Sequence, residues 1–197
     1  SKEKNRNIMA ELELFLMFRP KHVSLYILNA RSKYPHVQAL PDDEFIREEY
    51  LLVSEYLRSK GFHHYEVSNF ALPGFESQHN LKYWNTESVA ALGPTGTGLY
   101  SLGENKAIRY KWKVSNAEIE LEDLGLKELG LERTYLEIRT SNGWKPPQIS
   151  PRLLDLFMQW ERLKYGKWDG QKIQLNSLGF LMLDSLMDDL FRIHALQ

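Results

Sequence analysis

The chain has 197 residues and a formal net charge of −1, from 25 Lys+Arg and 26 Asp+Glu, with 43% hydrophobic and 12% aromatic residues. That suffices for one sizeable core, or for a core plus a small second domain, and the near-neutral balance argues against a nucleic-acid binder that relies on phosphate attraction. It contains no cysteine, which excludes disulfides, a nucleophilic thiolate and thiolate-held zinc or iron–sulfur centres within these residues, and suits a reducing, cytoplasmic setting.

Residues Lys4–Phe18 read as an amphipathic helix with Ile8, Leu12, Phe15 and Leu16 on one face, stopped by Arg19-Pro20. His22–Leu28 is a compact, β-rich strand candidate. After a loop with Pro35 and Pro41, Asp42 or Asp43 can cap a second helix that carries Phe45, Ile46, Tyr50, Val53, Tyr56 and Leu57 inward and ends at Gly61. His63-His64 read as an exposed linker, and Tyr65–Ser68 as a second strand. Helix–strand–helix–strand with short links predicts parallel strands covered by helices. No run approaches the ~20 apolar residues of a membrane span, and the polar start, Ser1 to Arg6, does not read as a signal peptide.

Strand parity bears on function. Val23, Leu25 and Ile27 share one side of the first strand, Tyr65 and Val67 one side of the second. The other sides carry Ser24, Tyr26 and Leu28, then Glu66 and Ser68. A lumen filled only for stability would hold branched aliphatics, so a carboxylate and hydroxyls read as a lined pocket, with a satisfied buried hydrogen bond as the plain alternative. Asn69–His79 then forms a loop at the strand end where α/β folds place ligands.

Gly93, Gly96 and Gly98 mark close backbone approach or a tight turn, without the Lys of a P-loop or the setting of a dinucleotide fingerprint. Leu99–Leu102 and Ile108–Val114 read as short strands. The texture changes near residue 115, where we place a domain boundary: 1–115 and 116–197. Glu118–Glu128 is acidic and leucine-spaced, and Leu129–Arg139 continues helical. Ser150-Pro151 starts a helix through Tyr165 with Leu153, Phe157 and Trp160 inward. Lys172–Leu175 is a short β candidate, and Leu178, Leu181, Met182, Leu186 and Leu190 stripe the last helix. Helices with a small β element read as a winged-helix-like module. Asp184, Asp188 and Asp189 on its last helix oppose phosphate contact, so no nucleic-acid partner is expected.

Several stretches occur in order at ordinary spacing: Val23–Tyr26, Leu40–Asp43, Tyr65–Ala71, His79–Trp84, Gly93-Pro94, Tyr135–Thr140 and Leu175–Gly179. Together they closely resemble the C-terminal half of the oxygen-independent coproporphyrinogen III oxidase-like radical S-adenosylmethionine family. The His-Asn-x-x-Tyr-Trp element is similar to that of its heme-chaperone (HemW-like) branch. The resemblance implies an α/β fold: a partial, parallel TIM-type half-barrel followed by a small, mostly helical domain. It also implies that the chain is the C-terminal part of a longer family member.

The family holds a [4Fe–4S] cluster on a Cys-x-x-x-Cys-x-x-Cys loop and uses it to cleave S-adenosylmethionine. This chain cannot bind that cluster, so alone it is expected to be inactive as a radical enzyme. By motif match, Asn29, Glu66, Ser68, Asn69, Leu81 and Lys82 would lie near S-adenosylmethionine. His79, Asn80, Tyr83 and Trp84 would be the heme-associated element, with His79 ligating iron and the aromatic rings packing on a porphyrin face. Arg109 and Lys82 are candidates to meet a ligand carboxylate. The implied partners are heme or porphyrin and a heme-acceptor protein. The alternative is a heme- or partner-binding module that works without the cluster and without enzymatic activity. An open edge at His22–Leu28 predicts self-association.

Overall fold

The computed structural model describes residues 7–27, 40–103, 105–114 and 118–195. Asn7 caps α1 (Ile8–Leu16) by accepting from the Met9 and Ala10 amides. The helix buries Leu12, with Ile8 and Leu16 packed beside it, while Phe15 stays exposed. Asp42 caps α2 (Asp43–Ser59), whose acidic first turn complements the helix dipole. Its buried stripe is Tyr50, Val53, Ser54 and Leu57, and Gly61 at φ +87° lets the chain turn away just after the Lys60 cap. Phe45, expected inward, is exposed at the first turn.

The first sheet corrects the expected parallel half-barrel. Strands β1 (His22–Ser24), β2 (His63–Glu66) and β3 (Asn69–Ala71) lie in the order β1-β3-β2, and both pairings are antiparallel. Because β1 and β2 each run opposite to β3, they are parallel to one another, as the helix–strand alternation predicted. They do not pair directly, because the chain turns at Val67-Ser68 and sends β3 back between them. Val23, Phe70, Val53, Leu57 and Phe62 close a core with Leu12.

After α3 (Gln78–Trp84) comes an antiparallel meander of β4 (Thr97–Ser101), β5 (Ala107–Trp112) and β6 (Ile119–Leu124). The glycine run serves packing here. A turn closes from the Gly96 amide to the Gly93 carbonyl at 3.0 Å. At Gly98 a Cβ would sit 2.2 Å from Cζ of Tyr110, so any other residue would have to push that ring aside. The helix expected from Glu118 begins later. Residues 119–122 alternate apolar and acidic with period two, 119–124 pair along β5, and α4 (Leu126–Ile138) follows. The boundary expected near residue 115 falls in 115–117, outside the described residues; strands from both sides of it pair in this sheet.

Ser150 caps α5 (Pro151–Arg162), and Leu153, Leu156, Phe157 and Trp160 are buried along it. The hairpin β7 (Gly166–Trp168) and β8 (Ile173–Leu175) precedes α6 (Ser177–Leu181) and α7 (Leu183–Ala195). The expected last helix is thus broken at Met182, the α6 C-cap. The helical content and small β element are as expected. Among the described residues the β pairing is one hairpin plus a Trp144–Ile173 bridge, without a specifically winged-helix arrangement. This second core gathers Ile138, Trp144, Phe157, Trp160, Ile173 and Leu190, among others. Backbone ties join it to the first sheet, a Glu66–Thr140 bridge and a Ser141 amide that donates to the Tyr65 carbonyl at 2.8 Å, and side chains add to them.

Candidate functional site

The β2–β3 turn builds a chain of polar groups. Glu66 is 1% exposed, and its Oε1 accepts from the Asn69 amide side chain and, at 3.2 Å, from the Ser68 backbone. Asn69 Oδ1 in turn accepts from the Ser24 hydroxyl at 2.5 Å, and Ser24 is exposed. A buried carboxyl is therefore linked to the surface through one amide and one hydroxyl. Burial raises the Glu66 pKa, against the Asn69 and Ser68 hydrogen bonds and the field of Arg139. Of the expected pocket residues, Glu66, Ser68 and Asn69 are thus brought together. Their polar atoms satisfy one another, which is also what the plain alternative described. Asn29 lies outside the described residues.

Tyr65, on the other side of β2, ties the sheet to α3. Its hydroxyl is 2.8 Å from His22 Nε2 and accepts from the Ser77 amide at 3.2 Å. Ser77 is the N-cap of α3, with its side chain accepting from the Asn80 amide. That short helix carries the whole His79–Trp84 element. His79 and Tyr83, one turn apart, meet edge-to-face at 5.1 Å. His79 is exposed, and among the described residues neither of its ring nitrogens is hydrogen-bonded. Tyr83 donates its hydroxyl to the Thr97 carbonyl at 3.2 Å. Leu81 and Asn80 are half-buried, and Lys82 is exposed. Trp84 is half-buried, with the Arg139 guanidinium carbon 4.2 Å from its ring centroid.

Two expectations change. Arg109 is not open to a ligand carboxylate: it pairs with Glu122 at 2.8 Å and with Glu132, stitching β5 to β6 and α4. His64 is not an exposed linker residue. It is 6% exposed, while His63 beside it points outward, as alternation along a strand requires. His64 stacks on Phe70 at 3.9 Å, and its Nδ1 is 2.8 Å from the Ser177 hydroxyl on α6. Sequence reasoning also missed Arg139, the C-cap of α4, as a site residue.

Among the described residues no cluster of three or more His, Asp or Glu side chains could hold a metal ion, and no helix is long and apolar enough to cross a membrane. No family model matches the chain. The heme chaperone HemW of Lactococcus lactis is 37% identical over 111 residues, which cover 53% of this chain and 28% of that protein. HemW of Mycobacterium tuberculosis is 33% identical over 138 residues, covering 62% and 35%. The chain therefore spans about a third of the length of these relatives. The solved structure described as coproporphyrinogen III oxidase (HemN) from Escherichia coli, a radical SAM enzyme, superposes with a TM-score of 0.60 at 10% identity, over 92% of this chain and 50% of that one. By sequence the chain is similar to the HemW heme chaperones over half of its length or more, and its fold is similar to that of part of the HemN structure.

Proposed function

We propose that this chain is a C-terminal portion of a cytoplasmic, HemW-like protein and supplies the tetrapyrrole-binding face of it, on α3. The observation that carries this reading is the exposed, unbonded imidazole of His79 held against Tyr83 on the helix that follows the buried Glu66–Asn69–Ser24 chain. A neutral imidazole fits heme iron as an axial ligand, and Asn80, Tyr83 and Trp84 would flank the macrocycle. On the family resemblance S-adenosylmethionine is assigned to Glu66, Ser68, Asn69, Leu81 and Lys82; Asn29, assigned with them, lies outside the described residues. The iron–sulfur cluster does not fit: no cysteine occurs in the 197 residues, so they offer no thiolate to it. In this reading the chain binds and presents a tetrapyrrole to an acceptor protein, and any radical chemistry draws its ligands from elsewhere.

Titration with hemin tests the reading. The full chain is expected to shift the Soret band with 1:1 stoichiometry, and His79→Ala to weaken binding about tenfold or more and change the band position. The same spectrum and affinity in His79→Ala would remove His79 as ligand, and no binding by either would sink the reading. A second expectation concerns the edge of β1, beyond which Tyr26 and Ile27 are exposed. Self-association there should raise the light-scattering mass with concentration, and a monomer at every concentration would exclude it.

A further inference from the structure

Arg139 holds the strongest unanswered chemistry outside the His79 face. Its guanidinium lies between two rings, 4.2 Å from the Trp84 centroid and 5.4 Å from that of Tyr135. Stacking of this kind fixes the plane of the fork and removes much of the rotamer freedom a free arginine would lose on binding. Among the described residues no carboxylate lies within ion-pair distance of it, in contrast to Arg109 with its two acids. Glu66 influences Arg139 only through its field. Arg139 Nε is buried and has no hydrogen-bond partner, and the same is true of Nε1 of Trp84, the residue it stacks on. Buried polar groups without partners are rare in folded proteins, and two on one stacked pair leave its donor capacity unanswered by the rest of the chain. Both groups only donate, and one is cationic. Both residues are only half-buried, and of the guanidinium only Nε is covered, so an anion can reach its terminal nitrogens from the surface.

We infer that Arg139 and Trp84 form a carboxylate-binding subsite, with Arg139 gripping the anion and the ring wall of Trp84 and Tyr135 packing its apolar body. A planar, two-oxygen acceptor matches the guanidinium fork, and the aromatic wall favours a carboxylate borne on an aromatic or apolar frame. Such a group can come from a tetrapyrrole propionate or from the aminoacyl end of S-adenosylmethionine. This deepens the tetrapyrrole reading, and rests on it only for which carboxylate is bound.

The test uses the full chain and the 15N resonance of the Arg139 Nε–Hε group, assigned by its loss in Arg139→Lys. The probes are 3-phenylpropionate, its methyl ester and inorganic phosphate. The acid alone should move the resonance and, with it, that of the Trp84 indole N–H; in Arg139→Gln, followed at the indole resonance, the acid should bind about tenfold or more weakly. Equal responses to acid and ester, an equal response to phosphate, or no response at all would overturn the subsite. Competition against 3-phenylpropionate by mesoporphyrin IX, or by S-adenosylmethionine but not 5′-methylthioadenosine, then names the source. Acid-selective binding in a chain that takes no hemin keeps the subsite and sinks the tetrapyrrole reading. Hemin binding that depends on His79, with an Arg139 signal blind to carboxylates, does the reverse.

Discussion

Truncating Phe157 to alanine is expected to cost about 3–5 kcal/mol of stability, the range for removing a buried aromatic ring. Phe157 is 0% exposed and meets Trp144 edge-on at 6.0 Å, Trp160 at 5.6 Å and Trp168 at 5.0 Å. These partners come from α5, the hairpin and the loop before α5, so none can follow the lost ring into the cavity without moving backbone. A urea titration followed by tryptophan fluorescence measures the loss, and Phe157→Leu should restore more than half of it. A cost under 1 kcal/mol in Phe157→Ala would mean that the site collapses freely and is not the centre of that core. Hydrogen exchange in the same variant tests the domain division. If residues 116–197 form their own unit, the amides around Leu57 in α2 should keep their protection while those of α5 lose it. Equal loss in both would make the two cores one cooperative unit.

How much of this could be read from the residues depends on where the determining interaction lies. The starts of α2 and α5 were legible because Asp42 and Ser150-Pro151 act within one turn of their own position. The stripe Leu153, Phe157 and Trp160 was legible for the same reason: helical periodicity is local. Strand β3 was not. Tyr65–Ser68 reads as one β-rich run, and nothing nearby says that Val67-Ser68 is a turn; the choice is made by Phe70 packing against Val53 and Leu57 from a distant helix. The β6 segment failed differently, because Ile119, Leu121 and Leu124 satisfy short stretches of both periods, and pairing with β5 decides.

The site divides along the same line. Glu66, Ser68 and Asn69 stood out because a carboxylate and an amide in a strand invite a question, and the structure does bring them together. The His79-to-Trp84 run stood out by its motif. Arg139 gave no signal, since its meaning lies in Trp84, 55 positions earlier, and in the lack of an ion-paired acid beside it among the described residues. Arg109 was misread for the converse reason. Its partners Glu122 and Glu132 become neighbours only once β6 pairs with β5 and α4 folds back.

Acidification from pH 7 toward 4 should destabilise the fold through His64, by about 3 kcal/mol for a shift from 6.5 to about 4. Burial is the main cause of the shift, and the imidazole sits in an aromatic cage, stacked on Phe70 and edge-on to Phe180 at 5.0 Å, with Tyr50 Oη 3.3 Å from Nε2. The sign follows from proton uptake. Between pH 6.5 and about 4 the unfolded chain binds a proton at this histidine while the folded chain does not, so the stabilisation is complete above 6.5 and drains away as pH falls. His22, whose pKa burial also lowers, adds a smaller effect of the same sign. Glu66 opposes both: its pKa is raised, so its contribution is largest at low pH and is lost as pH rises. Urea midpoints at pH 7.5, 5.5 and 4.5 measure the slope. In His64→Gln the chain should be less stable at pH 7.5, yet its stability should fall far less on acidification, with His22 and Glu66 left to oppose one another. An unchanged slope in that variant would show that His64 does not carry the effect. Because His64 Nδ1 reaches Ser177 on α6 at 2.8 Å, the same protonation event should loosen α6 from the first sheet. Loss of protection in α6 amides ahead of α2 amides, as pH drops through 5, would identify that hydrogen bond as a working tie between the two cores.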